Sequence, residues 1–127
     1  MNRTALFPGS FDPFTLGHKI VVDQGLELFE RIVIAVGVNT EKRGLLTPEN
    51  RARLIRDLYR NDSRIEVVIY NELTGKVCRQ LGIDTILRGL RNTVDFEYER
   101  NIMQVNQTLF PEIKTVLLFT PARYVAI

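Results

Sequence analysis

Twelve residues near the N-terminus carry the groups that an anion-binding loop needs. The segment FPGSFDPFTLGH, residues 7–18, follows a short apolar run and contains two glycines, two prolines and the only histidine of the chain. Gly9 lets the backbone approach a ligand closely, and Ser10 offers a hydroxyl and an N–H. Gly17 and His18 lie where a helix is expected to begin, with free N–H groups and the positive end of its dipole. A simple turn is the alternative, since the segment has neither a P-loop nor a GxGxxG pattern.

Basic residues accompany the ends of other predicted strands. Lys42 and Arg43 follow the second strand, Arg88 and Arg91 mark the end of the fourth, and Arg123 follows the fifth. In an open parallel sheet the carboxyl ends of the strands share one edge, so these side chains are predicted to converge there. Because the net charge is only +2, such a local concentration of cations favours an anion site. For each residue alone, the alternative is a solvated surface charge.

Short β-branched runs alternate with segments of helical period along the chain. Strands are predicted over residues 4–7, 31–38, 64–70, 84–89 and 114–120, and helices over residues 18–30, 48–59, 74–81 and 93–110. Thr47 and Pro48 form a helix start, and Gly82 suits a left-handed helix end. This β-α-β-α-β-α-β-α-β order implies a parallel, doubly wound sheet.

The longest predicted helix carries a polar stripe. Asp95, Glu99, Ile102 and Asn106 are spaced by four, three and four residues and therefore share one face, with Tyr98 beside them. Since the helix begins just after the fourth strand, its first turns are predicted to reach the anion site. Carboxylates there could hold Mg²⁺ through water or bond the amino groups of a nucleotide. An exposed amphipathic helix is the alternative.

The composition narrows the class of protein. At 127 residues the chain is long enough for one domain that buries about two thirds of its unfolded surface. The small net charge, and cations that are not interleaved with aromatic residues, argue against nucleic acid as a partner. One cysteine, Cys78, excludes an internal disulfide and a multi-cysteine zinc site, and we expect it to be a small buried side chain. This usage fits a reducing cytoplasm.

The motifs resemble those of the phosphopantetheine adenylyltransferase family of nucleotidyltransferases. The matching segments are GSFDPFTLGH, in which Thr15, Gly17 and His18 form a TxGH signature, ILRGLRNTVDFEYE, and a lysine in the second loop. The resemblance implies an α/β fold with a Rossmann-like, doubly wound, five-stranded parallel sheet. It also implies that ATP and 4'-phosphopantetheine react with Mg²⁺ to give dephospho-coenzyme A and pyrophosphate. A phosphate nucleophile with a second pKa of about 6 needs no general base.

The resemblance assigns roles residue by residue. Catalytic roles are implied for Ser10, His18, Lys42 and Arg91. ATP contacts are implied for Gly9, Ser10, Phe11, Gly17, His18, Gly89, Arg91, Asp95, Glu99 and Tyr124. Phosphopantetheine contacts are implied for Ser10, Lys42, Leu73, Thr74, Arg88, Tyr98, Ile102, Val105 and Asn106. Thr74 stands where bulkier apolar residues are common in the family, so contacts there are expected to differ.

The resemblance further implies a cytoplasmic homohexamer with coenzyme A as a feedback ligand. The small net charge and the lack of an apolar run of about 20 residues predict that neither nucleic acid nor a membrane is a partner. The family's pattern continues past Ile127, so we expect a single nucleotidyltransferase domain, residues 1–127, truncated before its C-terminal helix, with weak ATP binding. Two alternatives stay open. One is a related nucleotidyltransferase with another phosphate acceptor, such as glycerol phosphate or nicotinate mononucleotide. The other is a nucleotide- or coenzyme A-binding protein with impaired catalysis.

Overall fold

The structure, a computed structural model, describes residues 3–38, 46–90 and 93–120, and over residues 93–99 it describes the backbone alone. The strands are β1 (Thr4–Gly9), β2 (Arg31–Gly37), β3 (Ile65–Tyr70), β4 (Thr85–Leu90) and β5 (Lys114–Phe119). The helices are α1 (Leu16–Gly25), α2 (Pro48–Leu58), α3 (Thr74–Leu81) and α4 (Thr93–Leu109). The order of elements agrees with the prediction.

All strands of the described sheet are parallel, in the order β3-β2-β1-β4-β5. Leu6 of β1 lies opposite Val33 of β2 on one side and Ile86 of β4 on the other. The direction of winding reverses between β1 and β4, which makes the carboxyl ends of these two strands the expected place for a ligand. The predicted doubly wound parallel sheet is confirmed.

The helices cover both faces of the sheet. Ala5 and Phe7 of β1 pack with buried residues of α1 and α2, whereas Leu6, between them, packs with buried residues of α3. This alternation follows from the two-residue period of a strand. Residues 32–36 of β2 are buried without interruption, as expected for a parallel strand with helices on both sides. Two apolar cores result, one on each face.

The first helix differs from its prediction. It begins at Leu16, after the cap residue Thr15, and ends at Gly25, whereas residues 18–30 were expected. A Cβ atom at Gly25 would lie 2.6 Å from Cδ2 of Leu87, so the glycine lets this turn pack directly on the sheet. Leu28, which the predicted helix would have included, lies beyond the end of α1 and is 49% exposed. The predicted end of the helix was therefore wrong.

Other predictions that rest on local sequence are confirmed. The Thr47 side chain caps α2 by accepting a hydrogen bond from the Asn50 N–H at 3.2 Å, and Pro48 begins the helix. Gly82 ends α3 with φ of 69°, in the left-handed region that favours glycine. Cys78 is fully buried in the core beneath α3, as predicted. Strand β1 runs two residues beyond its prediction, to Gly9. None of the described helices has the length and apolar character needed to cross a bilayer.

Candidate active site at the carboxyl ends of β1 and β4

The loop between β1 and α1 has a tightly constrained backbone. Phe11 has φ of 52°, which is unusual for a residue with a side chain, and is only 2% exposed. Its ring lies on Gly9, where a Cβ atom would come within 2.9 Å of Cζ. Such a conformation costs free energy and persists only where neighbouring contacts hold it. The predicted role of Gly9 in close approach thus has a structural component, since the glycine accommodates the Phe11 ring.

His18 is held in one orientation by its own helix start. The Thr15 N–H donates to Nδ1 of His18 at 2.9 Å, and Oγ1 of Thr15 lies 3.1 Å from the same atom. The ring centroid is 5.0 Å from that of Phe11 and 5.3 Å from that of Phe14. A backbone N–H can only donate, so Nδ1 accepts and the neutral ring carries its proton on Nε2. In this neutral form Nε2 is the donor atom of the His18 ring.

Gly17 and Gly89 differ in whether the surrounding atoms leave room for a Cβ atom. Among the described atoms, a Cβ at Gly17 would approach only Oγ1 of Thr15, at 3.6 Å, an ordinary contact. A Cβ at Gly89 would lie 2.6 Å from Cγ2 of Val21, so packing of α1 against β4 requires this glycine. The described packing does not require Gly17, and its expected contact with ATP stays a prediction.

A buried arginine fastens the same loop to α2. Within the described residues, Arg51 is the only charged side chain that is buried, at 8% exposure. It donates to the backbone oxygens of Leu46, at 2.9 Å, and Ser10, at 3.3 Å, and its Nη2 lies 3.6 Å from Oδ2 of Asp12. Oδ1 of Asp12 accepts from the Leu46 N–H at 3.0 Å. Neither Arg51 nor Asp12 was predicted as a site residue, because the contacts that connect them to this site join segments that are distant in sequence.

Two adjoining cavities lie on the opposite face of the sheet, and together they form what we call the α4 cleft. The smaller, of about 220 Å³, is lined by Pro8, Thr74, Ile86, Arg88, Ile102, Met103, Asn106 and Thr115. The larger, of about 710 Å³, is lined by Gly9, Ser10, Gly37, Val38, Tyr70, Asn71, Glu72, Leu73, Thr74, Asn101, Ile102, Val105 and Asn106. The cleft brings together predicted phosphopantetheine contacts from β1, α3, β4 and α4. It adds Tyr70, Asn71, Glu72 and Asn101, for which the sequence offered no signal.

The side chain of Arg88, in β4, bonds to the neighbouring strand β1 and lines the smaller cavity. Its Nη1 donates to the Pro8 carbonyl at 2.8 Å, across the point where the winding reverses. The side chain is half-buried and lines the cavity beside Asn106. A guanidinium carries five N–H donors and a permanent positive charge, which are the properties that suit a side chain to bind an anion.

Several predicted residues lie outside the described part of the chain. These are Lys42, Arg43, Arg91, Arg123 and Tyr124, together with the side chains of Asp95, Tyr98 and Glu99. Their expected roles stay predictions. Among the described side chains, which are those of residues 3–38, 46–90 and 100–120, no group of three or more His, Cys, Asp or Glu residues is placed to hold a metal ion.

Comparison with known proteins agrees with the motifs. The family model of cytidylyltransferase-like proteins matches residues 6–125. The phosphopantetheine adenylyltransferase of Flavobacterium psychrophilum is 45% identical over 120 residues, which cover 94% of this chain and 79% of that protein. The enzyme of the same name from Lactobacillus johnsonii is 46% identical over 117 residues, covering 91% and 70%. The chain belongs to the phosphopantetheine adenylyltransferase family. The resemblance found in the sequence is confirmed.

Solved structures share the fold of this phosphopantetheine adenylyltransferase family member. A lipopolysaccharide core biosynthesis protein from Thermoplasma volcanium superposes with a TM-score of 0.66 at 19% identity, covering 94% of this chain and 96% of that one. A NadR protein in complex with NAD and AMP-PNP gives a TM-score of 0.70 at 14% identity, covering 99% and 40%. At these identities the likeness concerns the fold alone, and it confirms a Rossmann-like nucleotidyltransferase architecture.

Proposed function

We propose that this protein transfers the adenylyl group of ATP to 4'-phosphopantetheine. An oxygen of the phosphopantetheine phosphate attacks the α-phosphorus of ATP, a new P–O bond forms, and the bond to the β-phosphate oxygen breaks. The products are dephospho-coenzyme A and pyrophosphate, and the reaction is reversible. The observation that carries the proposal is identity of 45% to a phosphopantetheine adenylyltransferase over 94% of the chain.

The layout of the site supports this reaction because it offers separate places for two anions. His18 and Gly17 belong to α1, on one face of the sheet, and the α4 cleft lies on the other. Ser10 stands between them, at the end of β1 and on the wall of the cleft. ATP phosphates at α1 and an acceptor phosphate in the cleft would meet at Ser10. Catalysis then comes mainly from alignment and from neutralisation of charge.

The chain's own groups suit these tasks. Nε2 of His18 would donate to an ATP phosphate oxygen, and the Ser10 hydroxyl would bond the reacting phosphate. Arg88 would hold the acceptor phosphate in the cleft. Lys42 and Arg91, outside the described residues, would bridge the two phosphates and hold the ATP phosphates, respectively. No proton has to be removed by a side chain, because the acceptor phosphate is already ionised near neutral pH.

Mg²⁺ would enter with the nucleotide. This ion usually keeps several waters and binds through substrate phosphates with one or two carboxylates, so it needs no dedicated protein cage. When bound, Mg²⁺ supplies neutralisation of the triphosphate charge. Asp95 is the residue of α4 that we expect near it.

The cleft favours 4'-phosphopantetheine over smaller acceptors. Its larger part has a volume of about 710 Å³ and an apolar wall that includes Leu73, Ile102 and Val105. An extended arm with amide groups would occupy this length, whereas glycerol phosphate would leave most of it empty. We also propose feedback by coenzyme A, which shares this arm. We further propose a homohexamer, to which exposed Leu109 of α4 would offer apolar contact area, and a cytoplasmic location.

The test is product formation with a panel of acceptors. Purified protein is incubated with MgATP and 4'-phosphopantetheine, pantetheine or nicotinate mononucleotide, and products are identified by mass spectrometry. We expect dephospho-coenzyme A from the first and nothing from the others. Adenylylation of nicotinate mononucleotide would favour the related-enzyme alternative. Binding of coenzyme A without any turnover would favour the binding-protein alternative.

A further inference from the structure

The buried side chain of Arg51 is the feature from which a further role can be inferred. A guanidinium is rarely buried unless it is paired and hydrogen-bonded, because removing its charge from water is costly. Arg51 lies in the first half of α2, on the same buried side as Ala52 and Ile55. Its contacts leave α2 altogether and reach the β1–α1 loop and the residue before the Thr47 cap. Arg51 therefore connects the β1–α1 loop to the residue before the cap of α2.

The contacts require the planar fork of arginine. Nε, Nη1 and Nη2 address three different acceptors: the Leu46 carbonyl, the Ser10 carbonyl and the Asp12 carboxylate. Asp12 also accepts a hydrogen bond from the N–H of Leu46, so Arg51, Asp12 and Leu46 form a closed circle of contacts. Lysine offers a single point of charge and cannot meet this set of acceptors in their fixed directions.

One of these contacts fixes a peptide plane in the candidate active site. The Ser10 carbonyl belongs to the same planar unit as the N–H of Phe11, and in a trans peptide the two point in opposite directions. With the carbonyl held by Arg51, the Phe11 N–H must point away from Arg51. The next torsion along the chain is the left-handed φ of Phe11, 52°. Rotation of this plane would change ψ of Ser10 and φ of Phe11 together, so it would turn the Phe11 N–H and release the left-handed conformation of Phe11.

We propose that Arg51 is a positioning residue for adenylyl transfer. It sets the Ser10–Phe11 peptide and, with Asp12, ties the β1–α1 loop to the start of α2. The proposal rests on the function proposed above and adds to it a residue that touches neither substrate. Since a displacement of about 1 Å can cost 10²-fold in rate, loss of the tether lowers the rate of the reaction with little effect on ground-state binding.

The matched control is Arg56 on the same helix. Its Nη2 donates to the Val67 carbonyl of β3 at 2.9 Å, so it also joins α2 to the sheet, but it does not contact the loop. Arg51→Lys and Arg56→Lys each keep the charge and remove one guanidinium. A merely structural role of Arg51 would make the two variants differ in melting temperature alone.

The experiment combines steady-state kinetics with hydrogen–deuterium exchange of the full chain. We expect Arg51→Lys to lower kcat about 10- to 100-fold, with KM for either substrate within about threefold. Exchange in the peptide that covers residues 7–15 should rise in Arg51→Lys and not in Arg56→Lys. Equal kcat in the two variants, or exchange that does not differ between them, overturns the proposal.

A substitute variant and a measurement on the wild-type protein test the proposal even if Arg51→Lys does not fold. If Arg51→Lys does not fold, Asp12→Asn, which weakens one link of the circle, takes its place with the same expectations. In the wild-type protein the Leu46 amide should exchange slowly, and rapid exchange there overturns the tether without any variant. If the wild-type protein makes no dephospho-coenzyme A, the proposed function fails, while the exchange measurements still decide whether Arg51 holds the loop.

Discussion

The backbone N–H of Thr15 donates a hydrogen bond to Nδ1 of His18 across 2.9 Å. Thr15 also caps the helix, because its Oγ1 accepts from the backbone N–H of His18 at 3.4 Å. The same two residues thus start α1 and fix the ring and its tautomer. The end of the β1–α1 loop therefore places His18, with its proton on Nε2 in the neutral form, at the N-terminus of α1. The positive end of the helix dipole favours an anion there.

Replacement of His18 by alanine should affect turnover far more than binding of the acceptor. Removal of one preorganised donor to a developing charge typically costs 10²–10³ in kcat, and we expect a loss of about that size for His18→Ala. The dissociation constant of phosphopantetheine should change by less than about threefold, since the α4 cleft is on the other face of the sheet. Stopped assays and calorimetric titration give the two numbers.

Thr15→Ser is the control for that variant, because it keeps the cap oxygen and the backbone N–H that orients the ring. It should retain nearly full activity. A loss of phosphopantetheine affinity in His18→Ala as large as the loss in kcat would contradict the assignment of His18 to the ATP side.

Gly17→Ala separates the needs of the fold from those of the ligand. A Cβ at Gly17 approaches only Oγ1 of Thr15, at 3.6 Å, among the described atoms. Alanine is also the better helix former by up to about 1 kcal/mol, so the melting temperature should stay level or rise. Activity should nevertheless fall about 10- to 100-fold, because the methyl group would stand where a phosphate approaches.

The matched substitution is Gly25→Ala at the other end of α1. Its Cβ would lie 2.6 Å from Cδ2 of Leu87, an overpacking that typically costs about 1–3 kcal/mol. This variant should melt earlier while keeping its kcat per folded molecule. Full activity of Gly17→Ala would mean that no ligand comes close to Gly17.

The sequence allowed the order of elements to be predicted because their signals are local. The start of α2 was predicted from Thr47 and Pro48, and the end of α3 from Gly82. Both signals depend on backbone chemistry within a few residues. The end of α1 was missed because its cause is distant: Gly25 packs against Leu87, which belongs to β4. The predicted helix ran through Gly25 to residue 30, whereas in the structure Phe29 packs on the core after the helix has ended.

The same distinction explains what was found of the site. Gly9, Ser10 and His18 lie within the short segment 9–18, from the end of β1 to the start of α1, so their types and spacing were visible in the sequence. Arg51 contacts Ser10 from 41 positions away, and nothing in the helical run around it distinguishes it from the exposed Arg53. Only the folded chain shows which arginine is buried, and burial is what gives this one a role.

Cys78 should be almost unreactive in the folded protein. It is fully buried, and burial raises the pKa of its thiol from the ordinary 9.0 to about 11, so the thiolate fraction at pH 8 falls about 100-fold. Folding therefore favours the neutral thiol, and this contribution to stability is present below pH 9 and is lost as the pH rises towards 11.

Alkylation by iodoacetamide at pH 8, followed by intact mass, measures this. Because the chain has one cysteine, a single mass shift reports the site. We expect labelling of the native protein to be at least about 100-fold slower than labelling in urea. Similar rates in the two conditions would mean that the core beneath α3 opens readily.

Arg88→Gln should weaken the acceptor side of the site. Arg88 lines the smaller cavity of the α4 cleft and donates to the Pro8 carbonyl at 2.8 Å. A hydrogen bond to a charged group contributes about 1.5–3 kcal/mol, so KM for phosphopantetheine should rise about 10- to 100-fold. KM for ATP should change less than about threefold. Arg79→Gln is the control, since Arg79 is exposed, pairs with Glu112 and lies outside the cleft. An equal rise of both KM values in Arg88→Gln would place this arginine beside the triphosphate instead.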